Sequence, residues 1–184
     1  SPWGMGKVFD GSVLSELAGA NRSISQVNNH GEDSAAACLN NQEFRQYIRD
    51  WVEEVCSCNI NTILWDNPHF YSSNGNEQWC CRCDTCQKLF RKRTNHLMPN
   101  SLTKRVRKFR DASIIELMSE MTGLVHTRGR RNAVCLTAPE GNTEMQALEE
   151  VAELPSVDEI SLKPFWEKGE KTAAISKTYH EAGK

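Results

Sequence analysis

The sequence has no charge excess and no long apolar run. Its 22 Lys+Arg against 24 Asp+Glu leave a formal net charge of −2, with a pI near 6.2. Such a balance gives no global pull toward nucleic acid or an anionic membrane. No stretch approaches the roughly 20 apolar residues that a membrane span needs, so no membrane association is expected. The opening SPWGMGKVFDG has neither the basic head nor the apolar core of a secretory signal. A signal further upstream would leave localisation open. No glycine-rich phosphate loop follows any candidate strand, which argues against a nucleotide-binding, doubly wound sheet. The paired histidines of a zinc finger are missing as well.

What is present is enough apolar residue, 39% of 184, to bury the core of one domain spanning residues 1–184. Cysteine is abundant, with eight copies at 38, 56, 58, 80, 81, 83, 86 and 135. Four of them crowd into Cys80-Cys81-Arg82-Cys83-Asp84-Thr85-Cys86. A secreted disulfide scaffold spreads its cysteines through a small, loop-rich chain. Here long helical patterns accompany a tight cluster, which reads as metal binding in a reducing, cytoplasmic compartment.

Residues 1–37 are rich in Gly, Ser and Asn and read as a long loop with one short helix around Val13, Leu14 and Leu17. From Gln42 to Val55, the residues Phe44, Tyr47, Ile48, Trp51, Val52 and Val55 recur at helical spacing. Asn40 offers an N-cap, with Glu43 three residues on completing a box-like start. Asn61 to Trp65 reads as a buried strand that Asp66-Asn67-Pro68 ends. A polar loop, Tyr71 to Gln78, precedes the cysteines, and one or two helical turns follow over Gln87 to Arg93. A long helix is expected from Leu102 to Thr127, stopped by Gly129. Asn132 to Thr137 gives a second strand, Thr143 to Leu154 a helix, and Val157 to Leu162 a third strand. A helical tail is expected from Lys171. Helix and strand alternate, which implies parallel strands joined by crossovers. Their apolar content without clean alternation suits burial on both faces. Three strands are far short of the eight, in about 250 residues, of a closed barrel. A small, complete doubly wound sheet is the competing architecture.

A structural zinc site takes four thiolates or imidazoles in a tetrahedron, and a C-x-x-C pair on a turn supplies two of them. Cys83 and Cys86 form such a pair, and Cys81 adds a third sulfur from the same knuckle. The fourth is assigned to Cys38. It lies in a loop before a helix, at the same end of a β/α unit as the loop after the strand. Cys56 and Cys58 compete, but they lie about 20 Å along the helix from its start. Cys80 is an alternative third ligand. The plain reading of the whole set is free buried thiols or an adventitious disulfide. Cys135, inside a strand, reads as core.

The stretch Cys38-Leu39-Asn40-Asn41-Gln42-Glu43-Phe44-Arg45 resembles the C-P-N-S-P-x-Y/F-R segment of family 42 glycoside hydrolases, the β-galactosidases with a zinc-bearing barrel. Cys81-Arg82-Cys83-Asp84-Thr85-Cys86-Gln87-Lys88-Leu89-Phe90 looks like that family's cysteine knuckle. Cys38 and Cys81 stand 43 positions apart, by 81 minus 38, close to the family's spacing. Between them, Trp65-Asp66-Asn67 looks like the close of barrel strand four. The resemblance covers about 55 residues well. It implies a structural zinc ion on Cys38, Cys81, Cys83 and Cys86. It also implies a partial (β/α)8 TIM barrel, about strands 4–6 with flanking helices. In that division 1–37 is loop, 38–90 the zinc-stapled β/α segment, and 91–184 the following β/α units. A broader likeness, carried by Trp65-Asp66-Asn67-Pro68-His69-Phe70, Asn132 to Leu136 and Lys163-Pro164-Phe165-Trp166, is to uncharacterised glycosidase-like barrels that tend to carry Trp-Asp-Glu-Pro-His-Phe at the first of these places.

The departures bear on activity. Family 42 enzymes carry the acid/base glutamate directly after the asparagine that closes strand four, where this chain has Pro68. In the other alignment the glutamate's place is Asn67. The nucleophile would come from strand seven, beyond the third strand counted here. At barrel strand ends, the residues placed to act are Asp66, Asn67 and His69, then Glu140, then Lys163 and Trp166. Asp66 and Glu140 are the candidate carboxyl pair, at the separation of about 6.5–9.5 Å that inversion needs; a local cap and a solvated loop residue are the plain readings. Asn67, His69 and Trp166 are the candidates for sugar binding, with Phe70 as a second stacking surface. Against them stand an ordinary loop histidine and ordinary barrel packing.

The resulting expectation is a glycoside-hydrolase-like barrel piece that acts on or binds carbohydrate, with structural Zn2+ and little hydrolase activity by itself. Two open sheet edges favour homo-oligomers. A zinc-dependent nucleic-acid-binding module is the alternative, from the basic runs Phe90-Arg91-Lys92-Arg93 and Lys104 to Arg110. Against it, Val106 and Phe109 interrupt the second run as on an amphipathic crossover helix. A non-catalytic sugar-binding barrel is the third reading, favoured over hydrolysis by the missing carboxylate.

Overall fold

A computed structural model describes residues 21–73, 77–135 and 147–161. In chain order the elements are β1 (Ser25–Val27), β2 (Asp33–Ala37), α1 (Gln42–Ser57), β3 (Thr62–Asp66), β4 (Ser72–Ser73), β5 (Gln78–Trp79), α2 (Asp84–Thr94), α3 (Lys104–Thr127), β6 (Arg131–Cys135), α4 (Leu148–Ala152) and β7 (Glu159–Ser161). A 3-10 turn, Arg22–Ile24, precedes β1.

β3, β6 and β7 form one parallel sheet in that order. Neighbours in sequence are neighbours in space, the simplest outcome when each strand returns through a helical crossover. Thr62 to Asp66 pair one for one with Arg131 to Cys135. No closed barrel is present among the described residues. The molecule there is a mixed α/β fold, with a parallel sheet and flanking helices.

Strands alternate faces, and the register puts Ile63, Trp65, Asn132, Val134 and Ile160 on one side of the sheet. Ile63, Trp65, Asn132 and Val134 are buried. α1 and α3 supply much of the packed core: Phe44, Ile48 and Val52 from one, Val106, Ile114, Leu117, Met118, Met121 and Val125 from the other. Trp51 meets Trp65 edge to face at 6.2 Å, a geometry worth about 0.5–1.5 kcal/mol beyond the area buried. On the outer side, Arg45 and Arg49 of α1 both bind the Glu120 carboxylate of α3.

Asn132 is a polar hub in this core. Its Oδ1 accepts from Trp65 Nε1 at 2.7 Å. Its Nδ2 donates to the carbonyls of Thr122 (3.1 Å) and Ser156 (2.9 Å). Its backbone N–H donates to Asp158 at 2.7 Å. One fully buried amide therefore ties β3, β6, α3 and the turn into β7, with every side-chain atom satisfied.

Four expectations are corrected. Residues 25–37 are not loop but an antiparallel hairpin, β1 against β2. Gly31 turns it at a positive φ of 87°, and Asn28 Oδ1 accepts from the backbone of His30 and Glu32. The N-cap of α1 is Asn41, which accepts from the N–H groups of Glu43 and Phe44; Asn40 points inward. α2 runs for 11 residues where one or two turns were read. β3 is not buried on both faces: Thr62 and Leu64 are exposed, Leu64 by 52%. The expected short helix at residues 13–17, the end of the second strand at Leu136 and Thr137, most of the helix before Leu148 and the tail lie outside the described residues.

Candidate metal centre

The hairpin delivers Cys38. β2 ends at Ala37, and Cys38 N–H then donates to the Ile24 carbonyl at 2.7 Å, while its own carbonyl accepts from Asn41 at 3.0 Å. The residue is fixed at both ends as the chain turns into α1. The knuckle reaches the same place by a different route. β4 and β5 form a short antiparallel pair, Cys80 bridges Asn28, and Arg82 N–H donates to Val27 O at 2.7 Å. Residues 80–82 thus lie along β1. Cys83 then occupies the N-cap of α2, and Cys86 lies within its first turn.

These two paths bring the sulfurs of Cys38, Cys81, Cys83 and Cys86 within 4.8 Å of one another. Cys38 Sγ lies 3.5 Å from Cys86 Sγ and 3.5 Å from Cys83 Sγ. A disulfide needs about 2.05 Å. A tetrahedral ion with metal–sulfur bonds of about 2.3 Å needs sulfur–sulfur edges of about 3.8 Å. The observed separations belong with the second geometry. Cys38, Cys81 and Cys86 are essentially sealed from solvent, and Cys83 is partly exposed.

The electrostatics follow from crowding. Hydrogen bonds from Cys38 above all, then from Cys81 and Cys86, hold the Cys83 thiol far below its ordinary range. Burial first pushes Cys81 up, and the Cys38 contact first pushes Cys86 up. The protonation states of the bare cluster are therefore coupled from sulfur to sulfur. A divalent cation at its centre favours deprotonation of all four, since coordinated thiols give up their protons. Four thiolates suit zinc or another thiophilic ion and do not suit the hard, oxygen-seeking ions.

The other cysteines fall elsewhere. Cys80 is buried beside the cluster, and burial, then the neighbouring Cys81, pushes it up to about 12. Cys56 is buried and Cys58 exposed at the far end of α1, and Cys135 is buried in β6.

The strand-end residues are linked to this centre through β1, whose Gln26 bonds His69 O and whose Val27 N–H faces Cys81. Asp66 closes β3 opposite Cys135. Asn67 adopts a positive φ of 57°, and its N–H donates to Cys135 O at 2.6 Å. His69 Nδ1 is 2.7 Å from the Asn67 carbonyl; a carbonyl only accepts, so Nδ1 carries the proton. Loss of solvation pushes this imidazole below its ordinary value, against the opposing pull of that bond. Glu140, Lys163 and Trp166 lie outside the described residues, so their distances to Asp66 and His69 are not part of this geometry.

Three residues shape the site in a role the sequence does not announce. Buried Gln26 donates to the carbonyls of Ala37 (3.0 Å) and His69 (3.2 Å), and accepts from Tyr71 N–H at 2.9 Å. Buried Arg110 donates to Phe70 O (2.8 Å) and Ser72 Oγ (3.0 Å) and lies over the Phe70 ring. Desolvation lowers its pKa to about 10. Asn40 is the third. Each is a polar side chain whose partners are distant in sequence, so no local spacing announces it.

Among the described residues, no helix is long and apolar enough to cross a membrane. No protein-family model matches the chain. No curated protein matches it. Among solved structures, it is similar to the crystal structure of β-galactosidase from Bacillus circulans sp. alkalophilus, with a TM-score of 0.63 at 14% sequence identity. That likeness covers 91% of this chain and 31% of the β-galactosidase chain. At this identity it is a likeness of fold alone, over less than a third of the β-galactosidase chain.

Proposed function

We propose that this chain is part of a (β/α)8 barrel of the glycoside-hydrolase kind, related to family 42, in which Cys38, Cys81, Cys83 and Cys86 hold a structural zinc ion. The observation that carries the reading is the convergence of four sulfurs within 4.8 Å, beside a parallel sheet whose fold is like that of a β-galactosidase. β3, β6 and β7 then stand for three successive strands of the wall, about the fourth to the sixth. Leu64, on the face away from α1, would look into the barrel. The zinc has no open position for a substrate when four thiolates bind it. Its contribution is to brace the loops around the strand ends.

The ligand is a carbohydrate, bound at the C-terminal ends of the strands. Asn67 and His69 there present an amide and a neutral imidazole nitrogen suited to sugar hydroxyls, and Trp166 is the proposed stacking surface. Asp66 supplies a carboxyl group, with Glu140 as its proposed partner. Pro68 and Asn67 stand where related enzymes carry the acid/base glutamate. Binding without efficient hydrolysis is therefore the favoured activity. The unpaired edges of β3 and β7 among the described residues would favour self-association of this chain by itself, and a reducing cytoplasm suits thiol ligands.

The test has two parts. Metal analysis of the purified chain, followed by cobalt substitution, should give one ion per chain and a sulfur-to-cobalt charge-transfer band. Calorimetry with galactosides and other simple glycosides should show binding, while nitrophenyl glycosides are hydrolysed slowly or not at all. Absence of metal in the protein, and no uptake on reconstitution, refutes the zinc centre. Steeply salt-dependent binding to nucleic acid in place of sugar would favour the nucleic-acid-binding module.

A further inference from the structure

Asn40 lies between the cysteine cluster and the long helix α3, and it is 3% exposed. Its Nδ2 is 3.4 Å from Cys86 Sγ and 3.0 Å from Ser113 Oγ. Its Oδ1 is buried and has no hydrogen-bond partner. Ser113 settles which way the amide points. The serine hydroxyl has one proton, and it donates that proton to the Phe109 carbonyl at 2.8 Å. Toward Asn40 it offers only lone pairs, so the group facing it must be a donor. The same –NH2 faces Cys86. Turning the amide over would set its oxygen against the hydroxyl lone pairs and the sulfur together.

The cost of this arrangement is informative. A buried carbonyl without a partner costs about 1–3 kcal/mol. An apolar side chain of similar volume at position 40 would avoid that cost. A residue that breaks a local rule in this way is expected where function requires it. What the amide does here is aim an N–H at a sulfur. Cys81 receives the same treatment from the backbone: Val27 N–H is 3.4 Å from its Sγ. The backbone of Cys86 hydrogen-bonds the Cys83 sulfur as well, so three of the four sulfurs carry N–H donors. A divalent ion with four thiolates has a net charge of 2−. Buried away from water, that charge is stabilised by donors already aimed at it.

We propose that Asn40 is a positioning residue for the metal centre: its carboxamide, oriented by Ser113, donates to Cys86 and raises the affinity for a divalent ion while linking the centre to α3. The inference rests on the zinc reading above. Loss of an outer-shell partner typically lowers metal affinity about 10–100-fold.

The test compares wild type with Asn40→Leu, which keeps the volume and removes the donor, and Ser113→Ala, which removes the group that orients the amide. Chelator competition gives the zinc affinity, and the cobalt form reports the sulfur donors through its charge-transfer band. Asn40→Leu should bind about 10–100-fold more weakly, with four sulfurs still coordinated and a shifted charge-transfer band. Ser113→Ala should weaken binding in the same direction by a smaller factor, and it keeps the test open if Asn40→Leu does not fold. Wild-type cobalt uptake with unchanged affinity in a folded Asn40→Leu, or in Ser113→Ala when Asn40→Leu does not fold, overturns this inference alone. A wild-type chain that takes up no cobalt overturns the metal centre and this inference together.

Discussion

Replacing Cys38 by Ser removes the one sulfur that ties the β1–β2 hairpin to the knuckle. Cys81, Cys83 and Cys86 lie within six residues, whereas Cys38 is 43 positions before Cys81. The cross-link from Cys38 therefore closes a long loop, and the chain-entropy relation for a loop of that length gives about 4 kcal/mol at 25 °C. Mass action gives a similar figure: free metal at 1,000 times Kd adds about 4.1 kcal/mol to stability. In a chain of this size each kcal/mol moves Tm by about 2–4 °C, so the metal-dependent part should be about 8–16 °C. Thermal unfolding followed by circular dichroism, in zinc and in excess chelator, measures it. Wild type should lose that interval on chelation. Cys38→Ser should unfold lower in both conditions, and chelator should move it by less than about 2 °C on the same scale. Cys38 is fully buried, so the serine hydroxyl carries its own penalty. That penalty is common to both conditions and cancels in the difference. A Cys38→Ser variant with the full wild-type response to chelator would refute the four-sulfur centre.

Removing the amide of Asn132 takes the partner from Trp65 Nε1 and one donor each from the carbonyls of Thr122 and Ser156, the former still bonded within α3. At about 1–3 kcal/mol for each buried group left unsatisfied, Asn132→Ala should cost at least about 1 kcal/mol in urea unfolding. Trp65→Phe should cost less, and the double variant less than the sum; additive losses would mean the two groups are not coupled. Asp158 is held below its ordinary value of 3.8, first by the Asn132 N–H and then by His126. A depressed carboxyl contributes stability above its unfolded pKa and loses it as pH falls through the folded value. The stability difference between wild type and Asp158→Asn should thus be constant near neutrality and shrink below about pH 4; a pH-independent difference would refute it. Hydrogen exchange should separate the two halves of the structure. Chelation should expose the amides of Val27 and Tyr71 before those of Trp65 and Val134, which sit in the parallel sheet.

The parallel sheet was legible because its strands are short apolar runs between strongly periodic helices, and α1 and α3 were legible from their buried stripes. The knuckle was legible because C-x-C-x-x-C is a local pattern. Cys38 could be chosen over Cys56 and Cys58 because helix geometry puts those two a helix length away. The β1–β2 hairpin was not legible. Ser25-Gln26-Val27 and Asp33 to Ala37 hold no apolar side chain larger than Val27, and their pairing is set by the turn at Asn28–Gly31 and by the knuckle lying alongside. The cap of α1 moved from Asn40 to Asn41 for a related reason. Two adjacent asparagines are equal candidates in sequence, and only the position of the cysteine cluster and Ser113 draws one of them inward. Exposure of Leu64 was hidden too, since an apolar run does not reveal whether its second face is covered.

One strand connects the centre to the candidate sugar site. Val27 directs its backbone N–H at Cys81, and the preceding residue, Gln26, holds the backbone of His69 and Tyr71 through its side chain. The fully buried Gln26 amide has its oxygen and its nitrogen both engaged, so the loop after β3 cannot shift without breaking bonds that desolvation makes costly. Arg110 closes the same loop from the α3 side, through Phe70 and Ser72. An ion held by the four sulfurs would therefore act, through the β1–β2 hairpin, on how Asp66, Asn67 and His69 are placed without touching them. The hairpin that presents Cys38 to the cysteine cluster is the same hairpin that carries Gln26 to the strand end.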